Sequence, residues 1–418
     1  MNRNRHRIVF NERRGERMAV AETAQGSGKS AAGEGGAGAG SGQAPSSPAG
    51  GRCRPVALAL WLALGALPMP MAWAQIIADP AAPANQRPTV LSDGTRPLVN
   101  IQTPSAAGLS RNTYKQFDVP ASGIVLNNSS SNPWLYNGVL AKTILNEVNS
   151  TDHSHSRING AVTVNGAAAQ VIVANPNGIS INGGSFVNAS RLTLTTGTAQ
   201  VANGALTGFN MRSAGVIAIY AGGLDSSATP YTDIMSRAFQ LSGRFQAQNL
   251  GITIGAQTVA YDTGLISNQD SSDPPSYYVM DSFPLGGMHA NNISILVTQA
   301  GLGVRNWGIW QADGGQIAVT VDGRLENYGT WQADGGQIAV TTNGRLENRG
   351  TIAAGGGQIA VTANDRLENR GTIAAGSGQI AVTANDRLEN WGTIAAGAVS
   401  LVTPKGYIKN AGSIQGTR

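Results

Sequence analysis

An Asn-x-Gly triplet recurs at Asn306, Asn327, Asn348, Asn369 and Asn390, always 21 residues apart, and once more at Asn410. Gln316, Gln337, Gln358 and Gln379 keep the same interval, and each opens the run Gln-Ile-Ala-Val-Thr. A fixed period near 20 marks stacked units that cannot bury their apolar face alone. Each unit holds three short strand-like runs, in the first Gln316–Val321, Arg324–Asn327 and Thr330–Gln332, with no stretch long enough for a helix. Leucine-rich repeats share the period but need several leucines per unit, and here there is one. The expected fold is therefore all-β, a right-handed parallel β-helix, its hand following the rule for parallel crossovers.

In such a solenoid like stacks on like about 4.8 Å apart. Ile317, Ile338, Ile359 and Ile380 should form one buried column, and Leu325, Leu346, Leu367 and Leu388 another. Asn306, Asn327, Asn348, Asn369 and Asn390 should form an internal amide ladder, each side chain bonding the next. Arg324, Glu326 and their equivalents are expected to point outward as basic and acidic columns. Exposed ion pairs contribute only about 0–1 kcal/mol each, so the aliphatic columns must dominate.

Upstream, Val171/Val173 and Ile179/Ile181 are short alternating apolar runs around Asn175-Pro176-Asn177-Gly178. That tetrapeptide is turn chemistry: proline fixes φ, asparagine bonds its own main chain and glycine takes positive φ. Around it, GLSRNTYKQFDV (Gly108–Val119), GIVLNNS (Gly123–Ser129), TILNEV (Thr143–Val148), SRINGAVTVNG (Ser156–Gly166), VIVANPNGISING (Val171–Gly183) and NASRLTLTTG (Asn188–Gly197) follow in order. These motifs resemble the two-partner-secretion domain of filamentous-haemagglutinin-type exoproteins. A second family motif, usually Asn-Pro-Asn-Leu, stands here as Asn132-Pro133-Trp134-Leu135. Some relatives carry Cys-x-x-Cys where this chain has Asn182-Gly183-Gly184-Ser185, which removes any redox role there.

The resemblance divides the chain into a leader over 1–74, the secretion domain over 75–305 and the repeats over 306–418. Rows of inward residues are expected at Val99–Ile101, Ile124–Leu126, Val162/Val164, Leu192/Leu194, Val216–Ile219, Phe239–Leu241, Ile252–Ile254 and Ile293–Val297. Asp225–Arg237 and Asp262–Gly287 break the rhythm and read as loops or hairpins projecting from the solenoid.

The leader, disordered or helical, opens on the basic Met1–Glu22, which resembles the extended signal-peptide region of large exported Gram-negative proteins. A Gly/Ala/Ser/Pro spacer follows to Gly51. Arg52 and Arg54 then precede the uncharged run Val56–Leu67 and the small-x-small site Ala72-Trp73-Ala74, with cleavage expected after Ala74. Twelve apolar residues are too few to span a bilayer, which takes about 20. The one cysteine, Cys53, lies in this leader. A chain without disulfides suits threading through an outer-membrane pore.

Net charge is +5, but nine of the 29 basic and four of the 24 acidic side chains lie in residues 1–74, leaving 20 of each beyond them. A basic patch on the folded domain, needed for phosphate backbones, is absent from the pattern, so nucleic acid is not an expected partner. Asp152-His153-Ser154-His155 puts two rings on one strand face but lacks a third His or Cys nearby, so a solvated loop is favoured over a metal site. Glu147 reads as structural. A polysaccharide lyase would need outward acidic clusters and a basic proton acceptor, whereas these acids are dispersed, so no catalytic residue, metal or cofactor is expected. Trp307, Trp310, Trp331 and Trp391 could form a carbohydrate-stacking strip or cap solenoid columns.

By resemblance, the partners are the Sec machinery and a dedicated outer-membrane two-partner-secretion β-barrel transporter, whose periplasmic domains bind the unfolded region around Arg111–Gly197. A host-cell glycan or protein receptor would follow from an adhesin role. The alternative is a contact-dependent growth-inhibition exoprotein, which shares the N-terminal domain but ends in a toxin. The sequence stops at Thr417-Arg418 in mid-solenoid, without toxin or cap. That leaves an open sheet edge prone to association, the expectation for a truncated frame or a self-associating chain.

Overall fold

The computed structural model describes residues 5–11, 16–22, 75–92, 96–135, 137–149, 154–212, 215–267 and 278–416. In the leader, Arg5–Asn11 and Glu16–Glu22 form a two-stranded sheet instead of a helix or disorder. The cleavage residues Ala72 and Ala74, and Cys53, lie outside the described residues.

From Gln75 onward the chain winds into the right-handed parallel β-helix, about 12 turns of it. Three columns of strands run along its length. Leu98–Asn100 and Ile124–Asn128 begin the first, continued by Ala161–Gly166, and Leu109–Phe117 and Thr143–Val148 begin the second, continued by Ala169–Ala174. Leu224–Ser236 and Arg244–Ile254 bend through both, so that the two columns make one 25-stranded sheet. The third column is an 11-stranded sheet from Ser156–Ile158 to Tyr407–Asn410. At the N-terminal end, Ile76–Ala78 and Thr89–Leu91 pair antiparallel with Leu109–Phe117 and Leu98–Asn100. They occupy an edge that would otherwise offer unpaired backbone groups.

In the repeats, residues 21 apart pair directly. Ile317 lies against Ile338, Leu325 against Leu346, and Trp310 against Trp331. One coil buries Ile338, Val340, Leu346 and Ile352 almost completely. At roughly 1.5–3 kcal/mol each, those four outweigh any surface pairing in the same coil. The coil corners are tight. A Cβ at Gly350 would collide with Gly329 O of the coil before it, so the glycine of Asn-x-Gly is required by close backbone approach.

Asp225–Arg237 does not project. It lies almost wholly in the sheet strand Leu224–Ser236, whose partner shifts register between Ser226 and Tyr231. The Ser/Thr-rich run hides its alternation, because the inward Thr232 is polar and the outward Asp233 is itself covered. Of Asp262–Gly287, Tyr278–Ser282 stacks in the third column, Ile266–Ser267 pairs antiparallel with Thr258–Ala260, and residues 268–277 lie outside the described residues. Among the described residues, Thr198–Asn210 and Thr258–Ser267 leave the solenoid and form a four-stranded antiparallel sheet. Ala202 pairs with Ala205 across Asn203-Gly204, both at positive φ (51° and 74°), the two-residue hairpin chemistry of Asn-Gly.

That sheet covers a second core of Leu145, Ile172, Met235, Phe209, Met211 and Val259. Strand Ala169–Ala174 explains the need. Val171 and Val173 face the solenoid interior while Ile172 and Ala174 face outward, and all four are buried. A strand covered on both faces reads as a continuous apolar run, here Val-Ile-Val-Ala.

Candidate functional site

The two Asn-Pro turns share one geometry at different corners. Asn175 is fully buried at the end of Ala169–Ala174. Its Oδ1 accepts from Asn177 N (2.9 Å), and Gly178 N donates to Asn175 O (3.0 Å), closing the turn. Asn175 Nδ2 donates to Ser154 O (3.0 Å) and Ser156 Oγ (3.1 Å), and Asn175 N donates to Thr195 O (3.0 Å). One residue thus ties its own turn to the coils before and after it. Gly178 has φ 128°, and a Cβ there would lie 2.9 Å from Val216 O.

Asn132 is buried too, following Ile124–Asn128. Its Oδ1 accepts from Trp134 N (3.0 Å), and its Nδ2 donates to Ile101 O (2.9 Å) and Asn127 O (2.8 Å). Leu135 N donates to Asn132 O (3.0 Å), so Pro133–Leu135 forms a single 3₁₀ turn. Tryptophan in the third place of this motif leaves the asparagine's bonds intact, because only its backbone N–H is used. Pro133 and Pro176 fix φ beside each asparagine and need no donor. The structure does not bring the two motifs together; each locks its own corner.

Along the repeats the buried asparagines bond in series. Asn306 Nδ2 donates to Asn327 Oδ1 (2.9 Å), Asn327 to Asn348, Asn348 to Asn369 and Asn369 to Asn390 (each 2.8 Å), and Asn390 to Asn410 (2.7 Å). The second amide hydrogen of Asn327, Asn348 and Asn369 reaches a carbonyl of the following coil, Thr351 O, Thr372 O and Thr393 O.

The glutamates beside the ladder face outward, between the inward leucines and asparagines, but they are covered, not exposed. Glu326, Glu347 and Glu368 are at most 5% exposed. Arginines roof them: Arg345 Nη2 lies 2.6 Å from both Glu347 and Glu368, Arg324 Nε lies 3.0 Å from Glu326, and Arg349 and Arg370 close on Glu347 and Glu368. Burying a carboxylate costs free energy unless it is paired and hydrogen-bonded, and the guanidiniums supply both. Tyr278 Oη also donates to Glu326 (2.8 Å). Burial, with help from that carboxylate, pushes the phenol up to about 12.

The four tryptophans do not form a strip. Trp310 and Trp331 are fully buried and stack in the core at 5.0 Å. Trp307 stacks on Tyr328 at 4.0 Å, and Lys409 lies 4.5 Å over Trp391. Ring faces are thus engaged by neighbours on adjacent coils.

Asp152 and His153 lie outside the described residues. Among the described residues no group of three or more His, Cys, Asp or Glu side chains is placed to hold a metal ion. Glu147 accepts from Arg111 Nε (2.6 Å) and Thr113 Oγ1 (3.1 Å), tying adjacent strands near the N-terminal end. The sequence reading missed the buried pair Arg191–Asp233 (2.7 Å). Burial works against the Arg191 charge, but Asp233 outweighs it and raises the guanidinium's pKa. Arg191 also lies 5.1 Å over the Tyr261 ring, whose Oη donates to Gln170 (2.5 Å), fastening the antiparallel sheet to the solenoid. A lone Arg and Asp 42 residues apart carry no local signal.

A family model described as the TPS secretion domain matches residues 74–327, and one described as the extended signal peptide of type V secretion system matches residues 1–51. Toxin CdiA of Yersinia pestis is 42% identical over 348 residues, 78% of this chain and 10% of that protein. The tRNA nuclease CdiA-2 of Burkholderia pseudomallei is 36% identical over 341 residues, with the same shares. The chain therefore spans about a tenth of the length of these curated relatives. The crystal structure of a filamentous hemagglutinin secretion domain superposes with a TM-score of 0.53 at 26% identity, covering 82% of this chain and 99% of that one.

Proposed function

The chain belongs to the family of exoproteins that carry the TPS secretion domain, and from that premise we propose that it is an adhesin whose N-terminal coils act as secretion signal and folding nucleus. With an extended signal peptide ahead of that domain, it is a Gram-negative exoprotein carried across the periplasm to the cell surface. The TPS domain implies an outer-membrane transporter as partner. In our reading, Sec delivers the chain to the periplasm after cleavage at Ala74. The transporter's periplasmic domains then take the unfolded region around Arg111–Gly197. Coils stack as they emerge, which draws out the rest. Residues 75–305 would be the secretion domain and residues 306–418 a stalk, reaching a glycan or protein on a host cell. We assign no catalytic role to this region.

One observation carries the reading: buried Asn175 and Asn132 each hold a turn closed while bonding elsewhere in the coil stack. Such residues let a coil form only as its neighbours dock. The test is Asn175→Ala combined with Gly178→Val. The first removes two donated bonds, and the second forces a branched side chain to φ 128° against Val216 O. We expect the double variant to vanish from the culture medium. Wild-type amounts in the medium would refute the assigned role.

A second reading is favoured by the relatives named toxin and tRNA nuclease, which this chain matches only over their N-terminal part. On it, the chain is the stalk of a growth-inhibition exoprotein. Reading the gene beyond the codon for Arg418 separates the two: a nuclease-like module favours the toxin stalk, and continued 21-residue repeats favour the adhesin.

A further inference from the structure

We propose that the groove beside Trp134 binds a single neutral sugar ring, an inference that rests on the adhesin reading and gives it a ligand class. The groove encloses about 250 Å³ between two loops and is lined by Thr103, Ser105, Trp134, Leu135, Asn137 and Val139 among others. Its volume falls below the ~300–1,000 Å³ of pockets for drug-sized ligands, which suits one ring.

Both walls are built before any ligand arrives. On one side, Ser105 Oγ donates to Gly204 O (2.6 Å) at the tip of the antiparallel hairpin, and Ser105 N donates to Leu109 O (2.9 Å). On the other, Asn132 holds the turn, and Thr103 Oγ1 donates across the groove to Trp134 O (2.6 Å). Trp134 Nε1 donates to Thr89 Oγ1 (3.1 Å), which pins the indole by its edge, yet the residue stays 41% exposed. Unlike the stacked tryptophans of the repeats, Trp134 has no aromatic partner among the described residues. Val139, 55% exposed, stands in the same groove.

The chemistry selects the ligand. Among the described residues no charged side chain lines the groove, so an ionic ligand gains nothing and loses its hydration. A pinned indole with amide and hydroxyl groups close by offers one apolar surface and a few polar contacts. A pyranose has that same division, with C–H groups on one face and hydroxyls at its rim.

The secreted chain would be purified from medium and titrated with galactose, glucose, N-acetylglucosamine and N-acetylgalactosamine, following tryptophan fluorescence and saturation-transfer NMR. A ligand of about twelve non-hydrogen atoms should bind weakly, with a Kd on the order of 1 mM. Saturable binding of at least one sugar that weakens at least tenfold in Trp134→Ala supports the proposal. Because Trp134→Ala could disturb the turn, Val139→Arg, at an exposed site, provides a second block and should also abolish binding. No binding by any of the four sugars overturns the proposal, as does binding unchanged in Val139→Arg. Binding only of glucuronic or sialic acid, or of N-acetyl-leucine amide but no sugar, also overturns it. The amount of each variant in the medium is measured first, so a failure of export is distinguished from a failure of sugar binding.

Discussion

Asn348→Ala removes one rung from the middle of the amide ladder. The wild-type side chain accepts from Asn327 Nδ2 (2.8 Å) and donates to Asn369 Oδ1 (2.8 Å) and Thr372 O (3.2 Å). Its burial is complete, so water does not replace these bonds without opening the coil. Asn327 Nδ2 keeps one partner, Thr351 O, whereas Asn369 Oδ1 loses the bond that Asn348 donated. A net intramolecular hydrogen bond is worth about 0.5–1.5 kcal/mol, and a stranded buried acceptor costs about 1–3 kcal/mol. The expected loss is therefore roughly 2–4 kcal/mol. Asn410, the exposed last rung, can rehydrate its partner, and its alanine variant should lose less than about 1 kcal/mol. Because a stack of coils need not unfold in one step, the assay is hydrogen exchange on the purified protein. Protection should fall in the coils on either side of residue 348 and hold near residue 124. A loss below about 0.5 kcal/mol at Asn348, or equal losses at Asn348 and Asn410, would show that the apolar columns alone hold the stack.

Other predictions follow from the charged groups. Asp233→Ala strands the Arg191 guanidinium in a site where the pair is 13% and 8% exposed, and breaking a buried pair costs about 3–5 kcal/mol. Denaturant unfolding followed by tryptophan fluorescence should show that loss, and a protease should cut at the antiparallel sheet before the solenoid. A second response is to acid. Burial pushes the Glu368 carboxyl up, but the Arg370 hydrogen bond and the charges of Arg345 and Arg370 outweigh it and hold the group below its ordinary 4.5. A carboxylate depressed in the fold stabilises fully above its unfolded value and loses that contribution as pH falls through the folded one. The thermal midpoint should stay flat from neutral pH to about pH 5 and decline below about pH 4.5. Arg370→Ala should shallow that decline, and an unchanged slope would remove Glu368 from the cause.

The coil architecture is legible because one coil is written nearly unchanged four times. Gln-Ile-Ala-Val-Thr fixes a strand, Asn-x-Gly fixes a corner, and 21-residue spacing fixes the register that pairs Ile338 with Ile359. The turn at Asn175 is legible for the same reason, since each of its four residues has one conformational role. Less regular parts hide their partners. The Asn203-Gly204 hairpin does carry a local signal, whereas the surface it covers does not: Ile172 faces outward only because its strand is sandwiched. Glu326 and Glu347 look like surface charges in sequence and become buried only when arginines from their own and adjacent coils close over them. Trp310 and Trp307 stand three residues apart, and nothing local says that the first enters the core while the second remains partly exposed. Those distinctions depend on which face of the coil each residue meets, which is fixed by stacking.

The most direct test of the account follows the chain out of the cell. The protein, tagged at its C-terminal end, would be expressed in its own cell with the outer-membrane transporter gene intact or deleted, and periplasm, surface and medium assayed separately. We predict that protein reaches the surface and medium only with the transporter, where it resists protease as a folded β-helix, and that without it the chain is degraded in the periplasm. Folded protein outside the deletion strain, in amounts equal to the intact strain, would contradict the two-partner route.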